Sequence, residues 1–386
     1  MSLKWIQVAN QLDVYKRQQL IRLIFQQIKL AHFKNFQDVT VNLGPGFHFV
    51  TGNNGAGKTN LLDAIYYFCM VRSFRKTKDV DLINHQADYF RIEASISDLR
   101  TNHSLCIKFK HGILKEVIWD ETKDERMASH LGRLPVVLIA PDEIYQFIHE
   151  GEERRKFINQ TLIQIDSTYF ENLNTYTRLL KQRNAALKLM KKQGKLDSKL
   201  LDTYDFKMDS PGIAIANKRA EFISNLKIAL NEYSIRISGK DEQLDLKYHT
   251  TVDSNYSETL LKSRTLDFYT GGTNYGIHKD KLECLMNGRS LSHEGSQGQI
   301  KTFVLSMKLA QFDFLRAQSL KMPVVLLDDI FAKLDAVRVQ KLLVLLESEN
   351  IEQCFITDTH IDRVKELAKT LTSKTAFYEI IQNQFT

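Results

Sequence analysis

Gly52-Asn53-Asn54-Gly55-Ala56-Gly57-Lys58-Thr59-Asn60 is the stretch whose residue types and spacing specify chemistry most directly. It follows the apolar run Phe47-His48-Phe49-Val50 and leads into Leu61-Leu62-Asp63-Ala64-Ile65, so it reads as strand, glycine-rich loop and helix. The glycines let backbone N–H groups converge on one centre, and the helix adds the positive end of its dipole, which together make a cradle for polyphosphate. In such a cradle Lys58 reaches the β- and γ-phosphates of a nucleotide and Thr59 supplies a hydroxyl ligand to Mg²⁺. A glycine-rich turn with no ligand is the bland alternative, and the complete G-x-x-x-x-G-K-T spacing between strand and helix argues against it.

The chemistry needs acids beside the metal, and Val324-Val325-Leu326-Leu327 is an apolar strand that ends in Asp328-Asp329. Asp328 is expected in the coordination sphere of Mg²⁺. Asp329 is expected to orient and deprotonate the attacking water, with a side chain one methylene shorter than the glutamate common in related ATPases, so slow hydrolysis is expected. Between these halves, Ser296-Gln297-Gly298-Gln299 stands directly before the expected helix Lys301 to Leu315. It reads as an ordinary helix cap or as a second phosphate-binding helix end. One subunit with a phosphate loop has little use for a second such end unless it closes over nucleotide held by another copy, so a nucleotide-dependent homodimer is expected.

The elements that must position these residues alternate in character. Leu23 to Leu30, Val39 to Leu43 and Phe47 to Val50 read as strands leading into the loop, and Phe90 to Ile96, Ser104 to Lys110 and Glu116 to Trp119 as an antiparallel patch. Leu134 to Ala140 is an apolar strand, after which long helices take over: Tyr169 to Lys192, then a second from Pro211 to about Tyr233. The expected division is an ATPase lobe over 20–140 and 270–386 with an inserted, mainly helical lobe over 141–269. Residues 1–19 show no clear period and read as a disordered or non-native extension.

Composition narrows the class. A net charge of +7 with a pI near 9.0 allows a polyanionic partner. The run Arg178, Lys181, Arg183, Lys188, Lys191, Lys192, Lys195 and Lys199, interrupted by Asp197 alone among acids, reads equally as a solvated helix face or a nucleic-acid surface. Arg72 and Arg75 are further candidates in the nucleotide lobe. Cys69, Cys106, Cys284 and Cys354 have no pairing that fits zinc or a disulfide framework, and no apolar run reaches bilayer length, so a cytoplasmic location without a membrane is expected.

These segments resemble the ABC-type ATPase heads, the class that includes the SMC and double-strand-break-repair ATPases, and within it the RecF family. The closer likeness rests on Arg72-Ser73-Phe74-Arg75, Pro141-Asp142-Glu143, Arg154-Arg155-Lys156-Phe157, Leu180 to Asn184, Gly276-Ile277-His278-Lys279-Asp280, Ser296 to Gln299 and Leu327 to Asp329. The resemblance implies an α/β P-loop NTPase of the ABC-head type with an adjoining antiparallel β patch. It implies a weak, DNA-stimulated ATPase using ATP and Mg²⁺, an ATP-dependent clamp that engages single-stranded DNA and gapped or duplex junctions in recombinational repair, with RecO and RecR as partners. By the same resemblance Ser296, Gly298 and Gln299 correspond to the signature loop, Leu334-Asp335 to the following loop, and His360 lies near the switch position. Ile300 stands where a polar residue is usual. A transporter ATP-binding subunit shares the site chemistry, but the helical lobe, the basic charge and the S-Q-G-Q form speak against it. An ATPase coupled to a nuclease would need a further carboxylate cluster, which the sequence does not contain.

Overall fold

The computed structural model describes residues 20–98, 101–332 and 334–385, and the extension expected over 1–19 lies outside the described residues. The chain divides into two compact units, one reaching up to Ile144 and resuming at Met307, the other spanning Tyr145–Ser306.

The first unit carries two sheets. One is antiparallel, in the order β2-β1-β4-β5-β6-β7, built from β1 (Ile24–Phe33), β2 (Phe36–Asn42), β4 (Tyr89–Ser97), β5 (Asn102–Lys110), β6 (Glu116–Trp119) and β7 (Thr122–Lys123). Its strands alternate: Phe90, Ile92, Ala94 and Ile96 of β4 point inward while their neighbours reach solvent or the sheet margin. The other sheet has the order β15-β14-β3-β13-β12-β8, from β3 (Gly46–Thr51), β8 (Val136–Ile139), β12 (Val324–Leu327), β13 (Gln353–Thr357), β14 (Thr375–Ile381) and β15 (Gln384–Phe385). All its pairings are parallel except the β14–β15 hairpin. β3, β8, β12 and β13 are buried along their whole length, as continuous apolar strands of a covered parallel sheet should be. Gln353 joins the two sheets by a side chain acting as backbone: its amide accepts from Phe25 N at 2.7 Å and donates to Phe25 O at 2.8 Å. The register aligns Leu327 with Ile356 and Thr357 with Val50, so the ends of β3, β12 and β13 finish side by side. Helix α1 (Lys58–Met70) follows β3, α2 (Met127–His130) precedes β8, and α3 (Pro141–His149) follows it.

The second unit is helical, with α4 (Gly151–Leu162), α5 (Ser167–Gln193), α6 (Ser198–Ser238), α7 (Tyr256–Thr270) and α8 (Leu291–Glu294) around a small antiparallel sheet of order β11-β10-β9, formed by β9 (Leu244–His249), β10 (Lys281–Met286) and β11 (Arg289–Ser290). Helix α9 (Gln297–Ser319) starts in this unit and runs on past Met307, while α10 (Ala336–Ser348) and α11 (Ile361–Ala368) belong to the first. The helix expected to begin at Pro211 instead begins at Ser198 and passes through the proline. Proline favours a first turn, which is why it reads as a start, but here Asp197 caps the true start, accepting from Leu200 N at 3.0 Å. Buried Leu201, Met208 and Ile215 carry one packed face across the missing N–H.

Salt-bridged arginine holds this unit together. Arg183 lies on the buried stripe of α5 with Tyr176, Leu179, Leu187 and Met190, at helical spacing. Its Nε donates to Asp205 at 2.8 Å, and its Nη1 donates to Asp267 at 2.7 Å and to Thr273 at 2.9 Å, tying α5 to α6 and to both ends of the α7 turn. Arg264 donates from Nε to the other oxygen of Asp205 at 2.8 Å.

Candidate nucleotide site

The glycine-rich loop leaves β3 at Thr51 and enters α1 at Lys58. Two of its glycines are required by geometry. At Gly52 (φ 143°) a side chain would meet Ile380 O at 2.7 Å, and at Gly57 (φ 111°) it would meet the Asn35 amide at 2.5 Å. Lys58 is buried and folded back over the loop, donating from Nζ to Gly52 O at 2.8 Å and Asn53 O at 2.9 Å. These are carbonyls a bound anion would outcompete, so the ammonium is held inside the cradle without a carboxylate hydrogen-bond partner among the described residues. Burial draws the Lys58 pKa below the ordinary lysine value, and the carboxylates of Asp329, Asp358 and Asp328 work against that pull.

Asp328 follows β12, with its N–H on Ile139 O at 3.0 Å. Its Oδ1 accepts from Thr59 Oγ1 at 2.9 Å and from Thr357 Oγ1 at 3.0 Å. The two residues expected to share a metal are therefore in direct contact, one from the phosphate-loop helix and one from the adjacent strand. A hydroxyl and a carboxylate, both hard oxygen donors, fit Mg²⁺, which takes few protein ligands and completes its shell with phosphate and water. Burial pushes the Asp328 carboxyl above the ordinary aspartate value, opposed by the two hydroxyl bonds and by the Arg75 guanidinium. Asp329 has a left-handed backbone (φ 44°), and its N–H is held by Thr357 Oγ1 at 2.8 Å. Burial, with Asp358 nearby, raises its carboxyl too, against Lys58 and Arg363. Asp358 directly follows β13, with its N–H on Val50 O at 3.1 Å, and Arg363 Nε donates to it at 2.8 Å. Three acids and one lysine thus converge where the strands of the parallel sheet end, the crevice in which open α/β sheets carry ligands.

Comparison with known proteins matches this architecture. The family model described as RecF/RecN/SMC N terminal domain spans residues 24–379. A DNA replication and repair protein RecF from Cytophaga hutchinsonii is 34% identical over 342 residues, covering 88% of this chain and 90% of its own. The chain belongs to the RecF family. Two solved structures, of the recombination mediator protein RecF-ATPrS and RecF-ATP in the RecFOR pathway, superpose with TM-scores of 0.85 and 0.83 at 27% and 26% identity. They cover 95% and 94% of this chain and 98% and 97% of their own.

The remaining residues that the sequence singles out in this RecF-family chain fall in several places. Asn60 directs its amide to Asn35 Oδ1 at 2.6 Å. Asp335 caps α10, accepting from Arg338 N at 3.0 Å, and that N–H together with the Arg338 guanidinium overcomes its slight burial to hold its carboxyl low. In the second unit Ser296 and Gln299 form a reciprocal capping box at the start of α9: Ser296 N donates to Gln299 Oε1 at 3.0 Å and Gln299 N to Ser296 Oγ at 3.2 Å. Gln299 Nε2 also donates to Glu242 at 3.0 Å, and Ile300 is buried behind the box. The Ser296 hydroxyl accepts within the box and keeps its own proton for another acceptor. His360 is exposed, at the N-terminus of α11. Lys188, Lys191, Lys192 and Lys195 are exposed, as are Arg72 and Arg75, whereas Arg183 of the same basic run is buried in its ion cluster.

Four further residues support the site. Thr357 positions both acids. Asp358 adds the third carboxylate. Asn35, in the β1–β2 turn, donates to Ala56 O at 3.2 Å inside the loop and also to Asn383 of the C-terminal hairpin. Asp63 of α1, fully buried, takes Ser73 Oγ at 2.7 Å, Phe74 N at 2.9 Å and the Lys34 ammonium at 2.5 Å, and so fixes the segment that carries Arg72 and Arg75. The run Ile356-Thr357-Asp358-Thr359-His360, an apolar strand breaking into polar residues, was the one sequence signal pointing at two of them.

Proposed function

We propose that this chain is an ATP-dependent DNA clamp in recombinational repair, a slow ATPase that dimerises on ATP, acts at single-strand gaps and junctions, and works with RecO and RecR to load recombinase. The observation that carries the reading is the Thr59–Asp328 bond beside a buried Lys58, which supports a site for Mg-ATP because both hard oxygen donors and the ammonium lie at the one glycine-rich loop. Membership of the RecF family, and relatives named for replication, repair and the RecFOR pathway, support the DNA side of it. In this reading the N–H groups of Gly52 to Gly57 and the Lys58 ammonium bind the phosphates, and Thr59 and Asp328 would hold Mg²⁺, which would neutralise phosphate charge. Asp329 accepts the proton of the attacking water. Ser296, Gly298 and Gln299 meet the γ-phosphate held by a second copy, with Asp335 at the same closure, and Arg72, Arg75, Lys188, Lys191, Lys192 and Lys195 supply DNA contacts.

The test is Lys58→Ala, assayed by fluorescent ATP titration and circular dichroism. Removing the buried ammonium is expected to weaken ATP by at least about a hundredfold, the scale of a lost charge-assisted contact with phosphate, in a protein that stays folded. Parental ATP affinity in the folded variant would overturn the site.

A further inference from the structure

The loop from β5 to β6 turns tightly, with Ile113 N donating to Lys110 O at 3.0 Å across Gly112 (φ 77°). It presents Ile113 and Leu114 to solvent at 58% and 88% exposure. The base of this tip is anchored: Lys115 Nζ donates to Val71 O at 2.7 Å, pairs with Asp79 at 2.8 Å and lies 5.0 Å from the centre of the Tyr67 ring. Val71 directly precedes the segment Arg72 to Lys78, where Arg72, Arg75, Lys76 and Lys78 are all exposed and no acid occurs. That segment is itself fixed through Ser73 and Phe74 to Asp63. Two adjacent large aliphatic side chains therefore stand at the end of an anchored hairpin, next to a rigid loop of four exposed cations.

An aliphatic tip and a cationic loop ask for a ligand with phosphates on one side and an apolar face on the other. Continuous duplex offers the first alone, because its base pairs are stacked away. Where a duplex gives way to a single strand, the last base pair exposes an apolar face within reach of its own phosphates, and aliphatic side chains are known to wedge against opened base steps. We propose that Ile113 and Leu114 form a wedge that packs against the terminal base pair of a single-strand/double-strand junction while Arg72 and Arg75 hold the flanking phosphates. This rests on the DNA-binding reading above and supplies the surface by which a junction is told from plain duplex.

The test uses the full chain with ATP and two DNAs: a duplex with a single-stranded tail carrying 2-aminopurine in the terminal pair, and a dumbbell duplex closed at both ends, which has no free base-pair face. The parent is expected to bind the tailed DNA about tenfold more tightly than the dumbbell, the scale of burying one or two aliphatic side chains, and to change the 2-aminopurine fluorescence. Ile113→Ser/Leu114→Ser, both at exposed positions, is expected to erase that preference and the fluorescence change while leaving dumbbell affinity and the salt dependence as they were. Arg72→Gln/Arg75→Gln is expected to weaken both DNAs and to lower the logarithmic salt slope by about 1.8, at roughly 0.9 per phosphate contact. If the serine variant keeps the parental preference while the glutamine variant weakens binding, the wedge is overturned, the DNA reading stands, and the tip belongs to a protein partner. If neither parent nor variants bind either DNA, both readings fall.

Discussion

Asp329 has a left-handed backbone, a conformation aspartate tolerates better than a bulkier side chain. Its N–H is spent on Thr357, so the carboxylate is steered by the backbone, whereas Asp328 is steered by two hydroxyls. That separation of roles leads to a sharp expectation for Asp329→Asn. The amide keeps the size and the backbone bond but cannot take a proton, so ATP affinity is expected to stay within about threefold of the parent while single-turnover hydrolysis falls by two or more orders of magnitude, the usual worth of a general base. Hydrolysis at the parental rate would remove Asp329 from that role. At this scale the sequence revealed what is contiguous. G-x-x-x-x-G-K-T and the double aspartate announce themselves because each is a local unit with a fixed strand beside it. Asn35 and the adjacent pair Thr357 and Asp358 act on the loop and on the two acids from two other places in the chain, and nothing local distinguishes Asn35 from any asparagine in a turn.

Helix α5 shows how an element conceals its own pattern. Read as periodicity, its basic residues formed one run; in the structure Arg183 sits on the apolar stripe and Lys188, Lys191 and Lys192 lie on the exposed side. An arginine can occupy a core stripe only when carboxylates wait for it, and those come from α6 and α7, which the run itself cannot disclose. The same blindness affected α6, where a proline looked like a beginning, and α7, which was not anticipated at all. Asp205 keeps its pair with Arg264, but Asp267 is buried against Arg183, so Arg183→Ala is expected to strand one buried charge and cost about 3 kcal/mol in denaturant unfolding. Arg183→Ala combined with Asp267→Asn, which leaves the Arg264–Asp205 pair in place, should recover a good part of that loss. A single-variant loss below about 1 kcal/mol would show that the cluster contributes little to the unit's stability.

At the scale of the whole chain, the sequence placed the return to the nucleotide lobe at residue 270, whereas the compact units divide at Met307. The strands β9 and β10 alternate like those near the phosphate loop, yet β10 pairs with β9 on one side and β11 on the other, in the company of the helices. The parallel sheet was legible in its separate apolar runs, but its strand order was not, since β3 and β13 meet across most of the chain. The signature segment belongs to this scale as well, because its proposed work is between copies. Within one chain the Ser296 hydroxyl accepts from Gln299 N and retains a proton, which is what a helix end must keep if it is to donate to a γ-phosphate brought by a second subunit. Ser296→Arg places bulk at that contact and leaves the subunit's own phosphate loop unchanged. It is expected to bind ATP as a monomer, fail to dimerise when ATP is added, and lose hydrolysis. Mixing it with Lys58→Ala protein discriminates further, for one composite site of the mixed dimer then carries both lesions and the other neither. Sedimentation and turnover on the mixture are expected to recover part of both dimer and activity. Dimerisation of Ser296→Arg alone at the parental ATP concentration would show that this helix end does not close on a partner, and the clamp would need another hinge for its cycle.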